Sequence, residues 1–169
     1  MPRPGRDEAM TIRVTPPGTR GRGFPRLLMK VFRLFGSQQI RMYRRDGGQS
    51  ASKRMGFPIV LVTTRGAKSG ESRTTAVGGF PDGENAWLVV AALAGAARHP
   101  AWFLNMAKHP DEIWLEVGHE RFRVRGESLE GTERTEALAR IAAIAPRIGA
   151  YQEKTDREIP IVRLIRETA

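Results

Sequence analysis

The strongest constraint on this chain is a pair of β-branched runs set against each other by a tight turn. Residues 57–64 and 72–80 flank Arg65-Gly66-Ala67-Lys68-Ser69-Gly70-Glu71, a spacing that makes the two runs an antiparallel hairpin. Pro81-Asp82-Gly83-Glu84-Asn85 supplies the next turn, and Ala86-Trp87-Leu88-Val89-Val90-Ala91 is apolar enough for a strand covered on both faces. A second hairpin, residues 113–117 and 121–125, folds around Gly118-His119. Arg121, Phe122, Arg123, Val124 and Arg125 alternate along it, which leaves one face wet. Residues 159–165 read as the last strand. Helices are short: one opens at Pro100 and stops before Pro110, and one capped by Thr132 runs to Ala145. After Pro146 a brief helix covers Tyr151. About six antiparallel strands with short helices predict a mostly β, α+β fold. Strand–helix–strand units are too few for a doubly wound sheet, so the strands are expected to form a closed or nearly closed barrel, which protects sheet edges.

Charge divides the 169 residues unequally. Lys and Arg exceed Asp and Glu by 28 to 18, and the whole excess lies in residues 1–54, where 13 cations face Asp7, Glu8 and Asp46. Residues 55–169 carry 15 of each sign, so a basic arm precedes an electrically neutral body. Three regions follow. Residues 1–23, rich in Pro, Gly and Arg, are expected to be a disordered basic arm. Residues 24–54 are expected to form a basic amphipathic helix and linker, with Phe24, Leu27, Leu28, Val31, Leu34 and Phe35 on one stripe and Gly36 as a stop. Residues 55–169 are the barrel. The helix either packs its stripe on the body or attaches to an anionic membrane surface, where nearby cations add affinity. No DNA- or RNA-binding motif accompanies the charge, so no specific nucleic-acid partner is expected. Cysteine is absent, which removes disulfides and thiolate chemistry. The longest uncharged apolar stretch, residues 86–97, falls far short of the roughly 20 residues a span needs, and the N-terminus has no secretory pattern. A cytoplasmic protein, with the inner face of the membrane as the site of any attachment, is the expectation.

Two loops have the chemistry to hold an anion. Lys68, Ser69, Gly70 and Arg73 bring two cations, a hydroxyl and turn amides together, which suits a phosphate; the helix and glycine spacing of a Walker A loop are absent. The segment Ala91, Ala92, Leu93, Ala94 and Gly95 places small side chains before Arg98 and a helix start, so a flat ligand could approach closely and an anion would be attracted. Trp102, one turn into that helix, is either a pocket wall or a core residue. His99 reads as a capping or packing residue, His109 and His119 as loop residues. Carboxylates are not clustered at ligand spacing, so a metal is not expected.

Three strings appear in order: Val62-Thr63-Thr64-Arg65-Gly66-Ala67-Lys68-Ser69-Gly70-Glu71-Ser72-Arg73-Thr74-Thr75, then Gly95-Ala96-Ala97-Arg98-His99-Pro100-Ala101-Trp102-Phe103-Leu104-Asn105, then Tyr151-Gln152-Glu153-Lys154-Thr155-Asp156-Arg157-Glu158-Ile159-Pro160. Together they resemble the deazaflavin-dependent nitroreductase family over roughly residues 40–166. The resemblance implies a split β-barrel of the FMN-binding type and coenzyme F420 as cofactor, a deazaflavin bearing a phosphate and an acidic oligoglutamate tail; FMN is the alternative. It implies that Lys68, Ser69, Gly70 and Arg73 meet phosphate and tail. Residues Ala91, Ala92, Leu93, Ala94 and Gly95 would pass beside the ring, with Arg98 completing the anion site. Trp102 and Tyr151 would border ring and substrate, Tyr151 as a source of a proton. The implied reaction is hydride transfer to an electron-poor small molecule such as a quinone or nitro compound.

The chain departs from the family's usual pattern. Ala92 and Ala94 stand where Ser and Gly are usual, Ala76 replaces a usual Pro, and Ala145 and Ile148 occupy positions where nitroreductase members carry tyrosines. Loss of a hydroxyl at position 92 removes one hydrogen-bond donor. A binding protein that holds a deazaflavin, flavin or lipid without much catalysis is therefore the competing expectation. Nothing in the sequence fixes the oligomeric state.

Overall fold

A computed structural model describes residues 11–168. Two helices come first, α1 (Arg26–Asp46) and α2 (Gln49–Met55). Seven strands follow, interspersed with the remaining helices: β1 (Ile59–Arg65), β2 (Ser72–Gly78), β3 (Phe80–Pro81), β4 (Ala86–Val90), β5 (Trp114–Val117), β6 (Glu120–Ser128) and β7 (Ile161–Arg166). Helix α3 (Ala101–Lys108) lies between β4 and β5, and α4 (Gly131–Ile144) and α5 (Pro146–Ala150) between β6 and β7. Two 3-10 turns, Leu93–Gly95 and Tyr151–Lys154, complete the elements of the described residues. The strands form one sheet in the order β2-β1-β5-β6-β7-β4-β3, every neighbouring pair antiparallel. It curls into a split β-barrel, as the hairpin pattern predicts. The seventh strand is the two residues beyond Gly79. β2 pairs with β1 as far as Gly78, and after Gly79, where a Cβ would lie 2.5 Å from the Val60 side chain, Phe80 and Pro81 pair with β4 instead.

Alternation decides which side chains fill the barrel. Phe122, Val124 and Gly126 of β6 are buried while Arg121, Arg123 and Arg125 are exposed. Register sets Val60 against Val77, Val62 against Thr75 and Thr64 against Arg73, so these pairs share the inner face. There Val60 and Val62 meet Phe103 and Met106 of α3, Leu115, Val124 and Leu164. A second apolar cluster, with Phe57, Phe80, Leu88, Ala137, Ile141 and Ile161, seats α4 on the sheet. Arg163 reinforces it, bonding Asp82 at 2.6 Å and Glu133 of α4 at 2.7 Å.

Three local expectations are corrected. Gly36 does not stop the first helix: α1 continues to Asp46 and ends at Gly47, whose φ of 68° gives the left-handed cap. A lone glycine in a helix costs only about 1 kcal/mol, and the later turns regain it against the body. Tyr43 is buried, its hydroxyl donating to the Glu116 carbonyl at 3.1 Å, and Arg44 forks onto the Glu116 carboxylate. Thr132 is not the cap of α4: the capping position is Glu130, two residues earlier, and the helix starts at Gly131. The side chains of the stripe residues Leu28, Val31 and Leu34 lie outside those described; Leu27 and Phe35 are exposed.

The third correction concerns the arm. Residues 1–10 lie outside the described residues, but residues 11–23 run along the body rather than being disordered. Ile12 is buried in the main core, over Gly126, where a Cβ would lie 2.7 Å from Ile12 Cδ1. Burying an isoleucine contributes about 2 kcal/mol. Gly18 N–H donates to the Ala97 carbonyl at 2.8 Å and Arg22 N–H to that of Gly95 at 3.0 Å. Asp156 accepts from the amides of Thr19 and Arg20, each at 2.9 Å. A glycine-rich, polar composition is what a backbone-to-backbone strap requires: a Cβ on Gly21 would sit 2.2 Å from Ala97 N.

Candidate functional site

The β1–β2 turn carries the predicted cations. Lys68, Ser69 and Gly70 are exposed at its tip, and Gly70 adopts φ 69°, the left-handed conformation that glycine takes without strain. Four of the turn's amides have partners within the protein. Gly66 N–H donates to Glu71 O, Gly70 N–H to Gly66 O, Glu71 N–H to Ser69 Oγ and Ala67 N–H to Asn105 Oδ1. These four amides fix the turn's shape and its seat on α3. Arg73 is half-buried on the inner face beside Thr64, with one nitrogen 2.9 Å from Glu71 in an ion pair that is largely exposed. Such a pair is worth little and leaves the cation able to engage a stronger anion.

Asn105 is the residue that the sequence did not single out here. From α3 its Oδ1 accepts the Ala67 amide at 2.9 Å and its Nδ2 donates to Thr64 Oγ1 at 3.3 Å. It is 8% exposed, so these bonds are shielded. They lock the cation-bearing turn onto the helix preceded by Arg98, which is exposed in the connecting loop. Turn and loop are thus joined to one rigid element, although no contact draws the Arg98 side chain to Lys68.

The segment after β4 has the small side chains expected and an unusual backbone. Leu93, Ala94 and Gly95 have φ of 43°, 51° and 82°, three successive left-handed residues, two of which pay for a Cβ in that region. Ala91 and Ala92 are buried and Leu93 and Ala94 half-buried. Gly95 packs on the second 3-10 turn, where a Cβ would lie 2.8 Å from Lys154 Cβ and 3.0 Å from the Tyr151 carbonyl. Tyr151 is half-buried at the start of that turn, with Lys154 Nζ 5.6 Å from its ring centroid.

Trp102 departs from its expected role as a ring-bordering catalytic residue. At 8% exposure it belongs to the main core, edge-on to Phe103 at 6.3 Å, because the second residue of α3 faces the sheet. Its indole has little surface left for a ligand. His99 is buried as a packing residue, between Thr15 of the strap and Arg157. Arg157 lies within the third motif string yet gives no periodic signal; only its burial at 1% marks it.

Comparison with known proteins places this geometry. The model of the family described as F420H(2)-dependent quinone reductase matches residues 36–166. The chain belongs to the F420H(2)-dependent quinone reductase family. Coenzyme F420 is accordingly its cofactor. Among similar proteins, F420H(2)-dependent quinone reductase Rv1261c of Mycobacterium tuberculosis is 34% identical over 131 residues, 74% of this chain and 85% of that protein. The putative F420H(2)-dependent quinone reductase Rv3178 of the same organism is 29% identical over 114 residues, 68% of this chain and 94% of that one. A solved structure of an F420-H2 dependent reductase, FDR-A, superposes with a TM-score of 0.57 at 32% identity, covering 63% of this chain and 93% of its own. Another, described as a domain-swapped dimer, gives 0.59 at 28% identity over 81% and 98%. In residue chemistry the chain is compatible with an anionic, planar cofactor: Lys68, Ser69 and Arg98 are exposed and Arg73 is half-buried, and Ala91, Ala92, Ala94 and Gly95 carry little side-chain bulk. Among the described residues no helix is long and apolar enough to cross a membrane.

Proposed function

We propose that this protein is a reductase that uses reduced F420 to reduce a quinone, with other electron-poor molecules, nitro compounds among them, as further acceptors. The observation that carries this reading is the fastening of the cation-bearing turn, through Asn105, to the same helix that follows the small-residue segment. When bound, F420 supplies the hydride. The chain supplies placement, which governs rate when the reactive atom belongs to the cofactor. Lys68, Arg73 and Arg98 attract the phosphate and the carboxylates of the tail, and Ser69 donates a hydroxyl. Ala91, Ala92 and Ala94 keep side-chain bulk away from the ring. A quinone that accepts a hydride must also gain a proton to leave as hydroquinone, and Tyr151, backed against Gly95, is assigned as its donor.

The acceptor's habitat favours a second element of the proposal. Leu27, Phe35 and Met42 are exposed on α1, at 74%, 57% and 54%, alongside the exposed Arg41 and Arg45. An apolar and cationic helix of this kind suits attachment to the surface of an anionic bilayer, where lipid-soluble quinones reside. Mixing the protein with reduced F420 and a panel of quinones, enones and nitroaromatics tests the activity: recovery of the oxidised cofactor's visible absorbance is expected with quinones. Tight binding without turnover would make the protein a cofactor-binding module instead, and a preference for FMN would overturn the cofactor assignment for this chain. Sedimentation with anionic liposomes, lost when Leu27 and Phe35 are both changed to Glu, tests the membrane element.

A further inference from the structure

Among the described residues Arg157 is the largest fully buried side chain, and the proposed chemistry does not use it. Its guanidinium makes four hydrogen bonds. Nε donates to the Ala96 carbonyl at 3.1 Å, one terminal nitrogen donates to the Ala91 carbonyl at 3.1 Å and to His99 Nδ1 at 3.0 Å, and the other donates to the Ala92 carbonyl at 3.0 Å. Among the described residues no carboxylate lies within ion-pair distance of it. A buried cation without an anion costs several kcal/mol unless dipoles compensate it. Here the compensation comes from three backbone carbonyls, all from one short segment.

That segment is the one read as bordering the deazaflavin ring. Arg157 grips it at Ala91 and Ala92 before the three left-handed residues and at Ala96 after them. A strained backbone persists only where its surroundings over-determine it, and a planar fork bonded on both sides does so. We infer that Arg157 is a positioning residue for hydride transfer: it touches neither cofactor nor acceptor, and fixes the path of residues 91–96 beside the ring. This rests on the reading that the ring lies against that segment.

The second partner extends the clasp. A guanidinium has only donors, so His99 Nδ1 accepts and carries no proton. Nε2–H is then free to donate to the Thr15 carbonyl, at 2.6 Å. Arg157, His99 and the strap therefore form one continuous hydrogen-bonded unit around the segment. Lysine cannot replace the fork: its point charge lacks the geometry to reach carbonyls on both sides of the turn.

Amide hydrogen exchange on the full-length protein, with and without F420, together with single-turnover oxidation of bound reduced F420 by a soluble naphthoquinone, tests the inference. In the wild type, F420 is expected to protect amides of residues 91–97. In R157K those amides should exchange about tenfold faster while the strand amides do not change. The transfer rate within the complex should fall about tenfold, with less than about a threefold change in F420 affinity, since the anionic end is held elsewhere. Unchanged exchange and transfer in R157K would overturn the role of Arg157. If F420 binds the wild type yet protects none of residues 91–97, the ring placement itself is wrong and the inference falls with it. If R157K unfolds at the assay temperature, R157A with millimolar guanidinium decides: regained transfer supports the clasp, and no rescue in a folded protein overturns it.

Discussion

Replacing Asn105 tests how the cation-bearing turn is held. Asn105→Ala removes a 2.9 Å bond from the Ala67 amide and a weaker 3.3 Å bond to Thr64 Oγ1. The first is worth about 1 kcal/mol and the second about half of that, and the half-buried Ala67 N–H adds a similar penalty if no water replaces the amide oxygen. The total is about 2 kcal/mol, equivalent to a fall in Tm of roughly 4–8 °C for a domain of this size. Asn105→Asp separates two effects. It restores an acceptor to Ala67 but sets a carboxylate beside the cationic turn, opposing an anionic ligand by about 1 kcal/mol, or roughly fivefold in affinity at low salt. Differential scanning fluorimetry and F420 titration by fluorescence read the two consequences. If N105A retained both wild-type Tm and wild-type affinity, Asn105 would not be the fastening between turn and helix.

Lys68→Ala and Arg73→Ala are each expected to weaken F420 binding by several-fold at low salt and by less at high salt, because exposed charges are screened; titrations at two ionic strengths read this, and a loss independent of salt would indicate a folding defect. Gly95→Ala should lower Tm by roughly 5 °C or more, since it adds a Cβ at φ 82° against Lys154 and Tyr151. Burial, assisted by the neighbouring Arg157 charge, pushes the His99 imidazole below its ordinary pKa of 6.5. The unfolded chain then binds more protons than the native one below about pH 6.5, so stability is complete above that pH and declines as pH falls towards the native pKa. Hydrogen bonds from Thr19 and Arg20 hold the Asp156 carboxyl below its ordinary value, so its contribution to the strap is lost only at lower pH, as the carboxyl protonates. Denaturant melts of wild type and H99N between pH 5 and 8 read the histidine contribution: only the wild type should show the decline attributed to His99.

Local patterns made the barrel legible. Turn chemistry at residues 65–71 and 81–85 and alternation in residues 121–125 placed the hairpins, and Pro100 and Pro110 bracketed α3 within a residue or two. The missed features depend on contacts between residues far apart in the chain. The strap looked disordered because its composition offers little to bury, yet its partners are Asp156, Ala97 and Gly95, more than 70 positions away. Gly36 looked like a stop because the anchoring of α1 through Tyr43 and Arg44 to Glu116 comes after it. At the site, the cations and the small-residue segment could be read from residue type alone. Asn105 and Arg157 could not: a polar side chain on a helix and a cation in a charged loop normally face water, and only tertiary packing buries these two.

The most direct measurement compares the affinity of this protein for F420 with that for the deazaflavin core lacking phosphate and glutamate tail, at low and high salt. If the cations of the β1–β2 turn and of the loop before α3 read the anionic end, intact F420 should bind about 30-fold more tightly at low salt, a margin of about 2 kcal/mol, and the margin should shrink as salt rises. Equal affinity for the two molecules would contradict it.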